Sequence, residues 1–224
     1  MFIFTDFNIG DLMFIGHFAI AFLMGSLVPG VPLLVFLVGV SFPDLFWPFL
    51  VLTGVEKVKV NRNSPLQKDI EFESYPLSHS LVLTTVIAFL VGLVIAWYLN
   101  NPLVAPFFAI ASASHWILDT IVHKKDLPVL GFSNKDVKVG LGLWKRGPLA
   151  FVVEYLFYAV IVIFTVPTNS ILSILLLGAI FHLINLNSFF GLSKKNPFGN
   201  SKIYAVIALV GFALFIFFAQ IILG

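Results

Sequence analysis

The sequence predicts an all-α fold, a polytopic transmembrane bundle of about seven helices. Three observations predict it. Of 224 residues, 59% are hydrophobic and 11% charged, whereas soluble domains run at about 45–50% and about 25%. Apolar runs near the ~20 residues that a membrane helix needs recur along the chain. All Lys and Arg residues fall between those runs, in three stretches. A soluble chain of this size has no core large enough for so much apolar surface. A soluble enzyme, a nucleic-acid-binding domain and a disordered chain are therefore excluded, and the bilayer is the expected surrounding. The net charge of +2 implies no polyanionic partner. There is no cysteine, hence no disulfide and no thiolate site. The first 30 residues hold no Lys or Arg, so no cleavable signal peptide is expected.

The seven segments are 11–28, 31–53, 78–100, 102–122, 148–166, 170–190 and 201–223, forming a single transmembrane domain over 1–224. In the second, Pro32, Pro43 and Pro48 surround Ser41 and Asp44. Proline removes a helical hydrogen bond, which predicts a span that is broken, either kinked or a re-entrant pair of half-helices. Three connections, at Pro29-Gly30, Asn100-Asn101-Pro102 and Pro167-Thr168-Asn169, are short and uncharged. The other three, 54–77, 123–147 and 191–202, carry four, six and three of the 13 basic residues. With seven spans, all three lie on one side, and the positive-inside rule makes that side cytoplasmic. The expected location is the inner (plasma) membrane, with the N-terminus inside and the C-terminus outside.

Titratable groups inside the spans are costly and each needs a reason. They are His17, Asp44, His79, His115, Asp119, Glu154 and His182. At ~1.5 Å per residue, His17, His115, Glu154 and His182 all lie about 8–10 Å from the cytoplasmic end. Asp119 is one turn shallower, His79 opens its helix near the same interface, and Asp44 is about 14 Å in if helical. Helices running in both directions thus place their ionisable groups in one leaflet, while the other receives only amides and hydroxyls. Neutral imidazole and carboxylate suit Zn²⁺ and similar divalent ions. Three carboxylates in low dielectric must take up protons, pair with imidazolium or hold a cation. His115, Asp119 and His123 follow at i, i+4, i+8 and form one helical stripe whose neighbours can share an ion. His115 and Asp119 would equally serve as an intrahelical pair, and His123 as an interfacial residue before Lys124-Lys125. Gly140-Leu-Gly142-Leu-Trp144 lacks the strand and the Gly-Lys-Ser/Thr of a phosphate loop. Ser78 lacks a nucleophile elbow.

Gly16-His17, Pro43-Asp44, Ser78-His79-Ser80 and His115-xxx-Asp119 occur in that order. Over about the first 125 residues this resembles the inner-membrane metal-dependent hydrolase-like family, also described as LexA-binding, membrane-associated hydrolases. Asp126-Leu-Pro through Trp144 to Glu154 is similar to a related bacterial subgroup. The resemblance implies His17, Asp44, His79, His115 and Asp119 as metal-site residues. One departure is that Tyr75-Pro-Leu-Ser78 precedes His79 where the family pattern has His-Arg-Gly-Thr, which removes one His and one Arg.

The expected activity is hydrolysis of an ester or phosphoester in a lipid or amphiphile at the cytoplasmic leaflet, with a divalent metal cofactor, zinc by its ligand chemistry. His17, His79, His115 and Asp119 are the expected ligands, and Asp44 and Glu154 the catalytic carboxylates, each as ligand or general base. The alternatives are a proton- or cation-coupled transporter or channel, and a structural protein with buried His–carboxylate pairs. A reporter fused after Gly224 should be active only as a non-cytoplasmic fusion, and fusions within 54–77, 123–147 and 191–202 only as cytoplasmic ones.

Overall fold

The computed structural model describes residues 15–133, 135–196 and 198–224. Among them, seven apolar helices stand where the apolar runs predict them. They are α1 (Gly16–Leu27), α2 (Leu33–Leu52), α4 (Leu81–Tyr98), α5 (Val104–Val122), α6 (Pro148–Thr165), α7 (Ile171–Ile184) and α9 (Ser201–Leu223). Two short helices, α3 (Pro76–His79) and α8 (Leu186–Phe190), lie between them. Five helices, α2, α4, α5, α6 and α9, are long and apolar enough to cross a membrane; α1 and α7 are shorter, with 12 and 14 residues. Residues 11–14 of the first expected segment lie outside the described residues.

Three local expectations are corrected. The second span is not broken: α2 runs through Pro43 and Pro48 as one helix. Each proline removes a single N–H, and packing against α1, α5 and α9 holds the remaining ladder. His79 does not open its long helix. Pro76 starts a one-turn helix that ends at His79, Ser80 turns extended, and the Ser80 hydroxyl caps α4 by accepting the Thr84 N–H. The segment 170–190 divides at Asn185 into α7 and α8. The polar connections also contain two small antiparallel hairpins, β1 (Lys57–Lys59) with β2 (Glu71–Ser74), and β3 (Leu127–Pro128) with β4 (Lys138–Val139).

Helix α2 is central, packing on α1, α5 and α9, while α6 packs on α1 and α7. The core between them is aromatic and aliphatic, with Phe18, Phe36, Phe108, Phe212 and Phe215 fully enclosed. The outer helix faces are apolar and exposed, as at Leu90, Val94, Phe164 and Leu172. Without a hydrophobic drive between helices in lipid, close approach needs small residues. On α4 the buried positions are Thr84, Ala88, Gly92 and Ala96, one stripe at every fourth residue, turned toward α5.

The two ends of the bundle differ. At one end the three basic connections pack on each other. Ser201 Oγ donates to the Val58 carbonyl at 2.7 Å, Arg62 Nε to the Gly199 carbonyl at 2.9 Å, and Lys124 Nζ to the Ile70 carbonyl at 2.8 Å. At the other end the short turns meet, with Asn101 Nδ2 donating to the Gly30 carbonyl at 2.7 Å.

A Cβ on Gly92 would meet the Ala105 Cα at 2.9 Å and the Ala105 carbonyl oxygen at 3.0 Å, both backbone atoms that cannot rotate away. Gly92→Leu should therefore separate α4 from α5. The expected loss is about 1–3 kcal/mol, the usual range for overpacking, read as a lower unfolding temperature in detergent. Gly211→Leu, where nothing lies within 4 Å of an added Cβ, should leave that temperature unchanged.

Candidate metal centre

Four elements bring six donors together beneath the polar end. His17 sits in the first turn of α1, Asp44 in the middle of α2, and His79 at the end of α3. His115 and Asp119 lie one turn apart on α5, and His123 caps that helix at its C-terminus. Asp119 is the hub. Its Oδ1 is 3.3 Å from His17 Nε2, and its Oδ2 is 3.1 Å from His115 Nε2, 3.8 Å from His123 Nε2 and 4.0 Å from His79 Nε2. Asp44 faces the same rings, with Oδ1 3.3 Å from His79 Nε2 and Oδ2 3.6 Å from His115 Nε2. Donors on one tetrahedral zinc, each at about 2.0–2.2 Å, are about 3.4 Å apart. Two triads, His17–Asp44–His115 and His79–His115–Asp119, have all donor atoms within 4.8 Å of one another.

The far nitrogens of the rings explain their aim. Beside Pro43, the Val40 carbonyl accepts from His115 Nδ1 at 2.7 Å. Asp126 Oδ1 lies 3.2 Å from His123 Nδ1. Ser78 Oγ lies 2.7 Å from His79 Nδ1 and donates to Glu56 Oε2 at 2.6 Å. Each Nδ1 thus has an acceptor of its own, and each ring turns its Nε2 toward Asp44 and Asp119, as a lone pair when neutral and as a donor when protonated. Lone pair against carboxylate is repulsive, and either a proton on Nε2 or a metal cation between them makes the contact attractive. His115 Nε2 is buried and makes no hydrogen bond. The stack of His17 on His115, with centroids 3.7 Å apart, disfavours a proton on both rings at once, so protons alone meet the two carboxylates only in part. Carbonyl– and carboxylate–imidazole pairs of this kind are the usual outer support of metal-binding histidines.

Glu56 was not singled out from the sequence. It is 1% exposed and takes three hydrogen bonds from α3: the Leu77 and Ser78 amides at 2.7 and 3.0 Å, and the Ser78 hydroxyl. Burial pushes its pKa up, and the bonds from Ser78 oppose that. Nothing distinguishes Glu56 in sequence from Glu71 or Glu73 of the same connection. Asp126 had a signal, its i+3 spacing from His123.

Glu154 and His182 stand apart from the six donors. Glu154 Oε1 accepts the Ile15 N–H at 2.6 Å and so holds the start of α1, two residues before His17. His182 Nε2 donates to the Phe151 carbonyl at 2.8 Å, with its Nδ1 3.9 Å from Glu154. Both are buried. Glu154 nevertheless lines the same cavity as His17, Asp44, His79, Asp119 and His123.

That cavity measures about 60 Å³, with Trp47, Phe72, Trp144 and Tyr204 among its walls. At about 10–15 Å³ per water on this measure, it holds an ion and a few waters. Trp144 lies against His123, ring centroids 4.3 Å apart. The glycine-rich segment before it is a clasp, not a phosphate loop: Leu141 and Gly142 donate to the Thr120 and His123 carbonyls at 2.8 and 2.7 Å. Gly140 has φ +150°, and a Cβ there would collide with the Lys124 carbonyl.

Compared with known proteins, the chain matches no family model, no curated protein and no solved structure.

Glu56→Gln tests the outer support of His79. The amide would donate to Ser78, the hydroxyl would turn to His79 Nδ1, and the imidazole proton would move to Nε2. The ring then offers no lone pair to the cluster. Divalent-metal affinity should fall about 10–100-fold, as for other supporting groups, in a chelator competition. The ¹⁵N shifts of His79 should report the other tautomer.

Proposed function

We propose that the chain is a membrane-embedded, metal-dependent hydrolase with seven spans in the inner membrane, acting from the cytoplasmic leaflet on an ester or phosphoester of a lipid-like substrate. The observation that carries the proposal is the convergence of buried imidazole Nε2 atoms on Asp44 and Asp119, with the His79, His115 and His123 rings turned inward by a partner on the other nitrogen. This donor set fits a divalent cation, and the soft and hard balance of imidazole with carboxylate suits zinc. His17, His79, His115 and Asp119 would hold it, with Asp44 as a further ligand because its oxygens face His79 and His115. When bound, such an ion polarises an acyl or phosphoryl oxygen and acidifies water. Proton transfer falls to Glu154, the wall carboxylate outside the donor cluster.

The family resemblance read from the sequence agrees with this reading. The packing of all 13 basic residues' connections at one end supports a cytoplasmic mouth. A continuous polar path would favour a transporter. Beneath the cluster, however, Phe18 and Phe215 stack with centroids 3.9 Å apart in a closed apolar core.

The test uses protein purified in detergent and a short-chain chromogenic phosphodiester and carboxyl ester. Hydrolysis of one of them should vanish with chelator and return with Zn²⁺. Asp119→Asn keeps the side-chain size but removes the charge, and should lose both metal and activity while its helical circular dichroism persists. Were Asp119 only a pinning partner, the loss would be mild, since membrane hydrogen bonds average about 0.6 kcal/mol, and normal metal content would overturn the ligand assignment. Glu154→Gln retains an oxygen for the Ile15 amide. It should keep its metal and lose turnover if Glu154 moves the proton; full activity would reduce Glu154 to an anchor of α1.

A further inference from the structure

We infer that the centre is binuclear, with Asp44 and Asp119 both bridging. The inference rests on the metal-site reading above and adds the number of ions and their sharing of ligands. Six side chains offer eight donor atoms, four imidazole nitrogens and four carboxylate oxygens, which is twice what one tetrahedral ion takes.

The donors divide into two sets. His17 and His115 stack and stand on one side, and with Asp44 they form one close triad. His79 and His123 stand on the other. Each carboxylate turns one oxygen to each side. Asp44 directs Oδ2 to His115 at 3.6 Å and Oδ1 to His79 at 3.3 Å. Asp119 directs Oδ1 to His17 at 3.3 Å and Oδ2 to His123 at 3.8 Å and His79 at 4.0 Å. The two sides meet at His115, whose Nε2 is 3.1 Å from Asp119 Oδ2 and which also forms a close triad with His79 and Asp119, so the two ions would be neighbours. Each ion would then have two imidazoles and one oxygen from each carboxylate.

Donor number rather than charge calls for the second ion: two divalent ions exceed the two aspartates by two positive charges, which Glu154 on the cavity wall and an anionic substrate group would meet. A single divalent ion would neutralise the two aspartates but would reach only one of the two imidazole pairs. Two ions satisfy both pairs, and paired metal sites about 3.5–4 Å apart are a recurrent device for cleaving phosphoesters. His115 Nε2 is buried between the two carboxylates, 3.1 Å from Asp119 Oδ2 and 3.6 Å from Asp44 Oδ2, without a well-aligned hydrogen bond to either.

The experiment loads the purified chain with Mn²⁺ and with Zn²⁺, counts ions per chain by mass spectrometry, and records the electron paramagnetic resonance of the Mn²⁺ form. Two ions per chain with an exchange-coupled multiline signal are expected, since carboxylate bridges couple the spins. His123→Ala and His17→Ala, each removing a ligand from one side only, should bind one ion and give the isolated-ion signal. Two uncoupled ions, or one ion in the unmutated chain, would overturn the binuclear centre and leave the metal site standing. No bound ion at all would overturn both. If one variant fails to fold, the other and the unmutated chain's ion count still decide the question.

Discussion

The polar half of the structure is organised by the burial of Asp119. Its side chain is 4% exposed, and moving a carboxylate out of water costs several kcal/mol unless the charge is met. Four imidazoles surround it within 4.0 Å, drawn from α1, α3 and both ends of one stripe on α5. Asp44 on α2 adds a second charge rather than relieving the first. The elements that would otherwise pack by apolar contact alone are thereby tied to one point, and the proposed cations are what make that point attractive rather than repulsive.

The supporting contacts come from outside the spans, and they explain why the loops are folded. Glu56 reaches α3 from the connection after α2, Asp126 from the turn after α5, and the Gly140–Trp144 clasp closes over His123. Pro43 contributes from within a span. It has no N–H for the Gly39 carbonyl, and the carbonyl of the next residue, Val40, takes His115 Nδ1. A proline that seems a helix breaker in the sequence thus stands beside an acceptor inside a helix that stays whole.

That difference marks what was legible in the sequence. Apolar runs located every long helix, because the spans are set by composition and length. Depth counted along those spans brought His17, Asp44, His79, His115 and Asp119 to one level, and the i, i+4, i+8 spacing placed His123 on their stripe. What could not be read was contact between elements. Glu56 is one acidic residue among several in its connection, and only the fold of β1 and β2 carries it to Ser78. Glu154 looked like the other intramembrane carboxylates, yet its oxygen meets the start of α1, a pairing across 139 residues that no local pattern encodes. The one-turn helix α3 was hidden because Ser78-His79-Ser80 reads equally well as the opening of α4.

The shape of the cavity bears on what enters it. Its volume suits an ion with a few waters rather than a whole lipid, and the apolar core closes it from below. In the proposed hydrolase reading, a substrate would present its scissile group from the polar end, near Phe72, Trp144 and Tyr204 of the cavity wall, while its apolar part stays outside. Among the described residues no Lys or Arg lines the pocket, although 13 basic residues crowd the same end of the bundle. In the proposed reading the cations, not arginine or lysine, meet an anionic group at the centre. The basic connections then act earlier, drawing amphiphiles with anionic headgroups to the mouth, an attraction that salt would screen over about 8–10 Å.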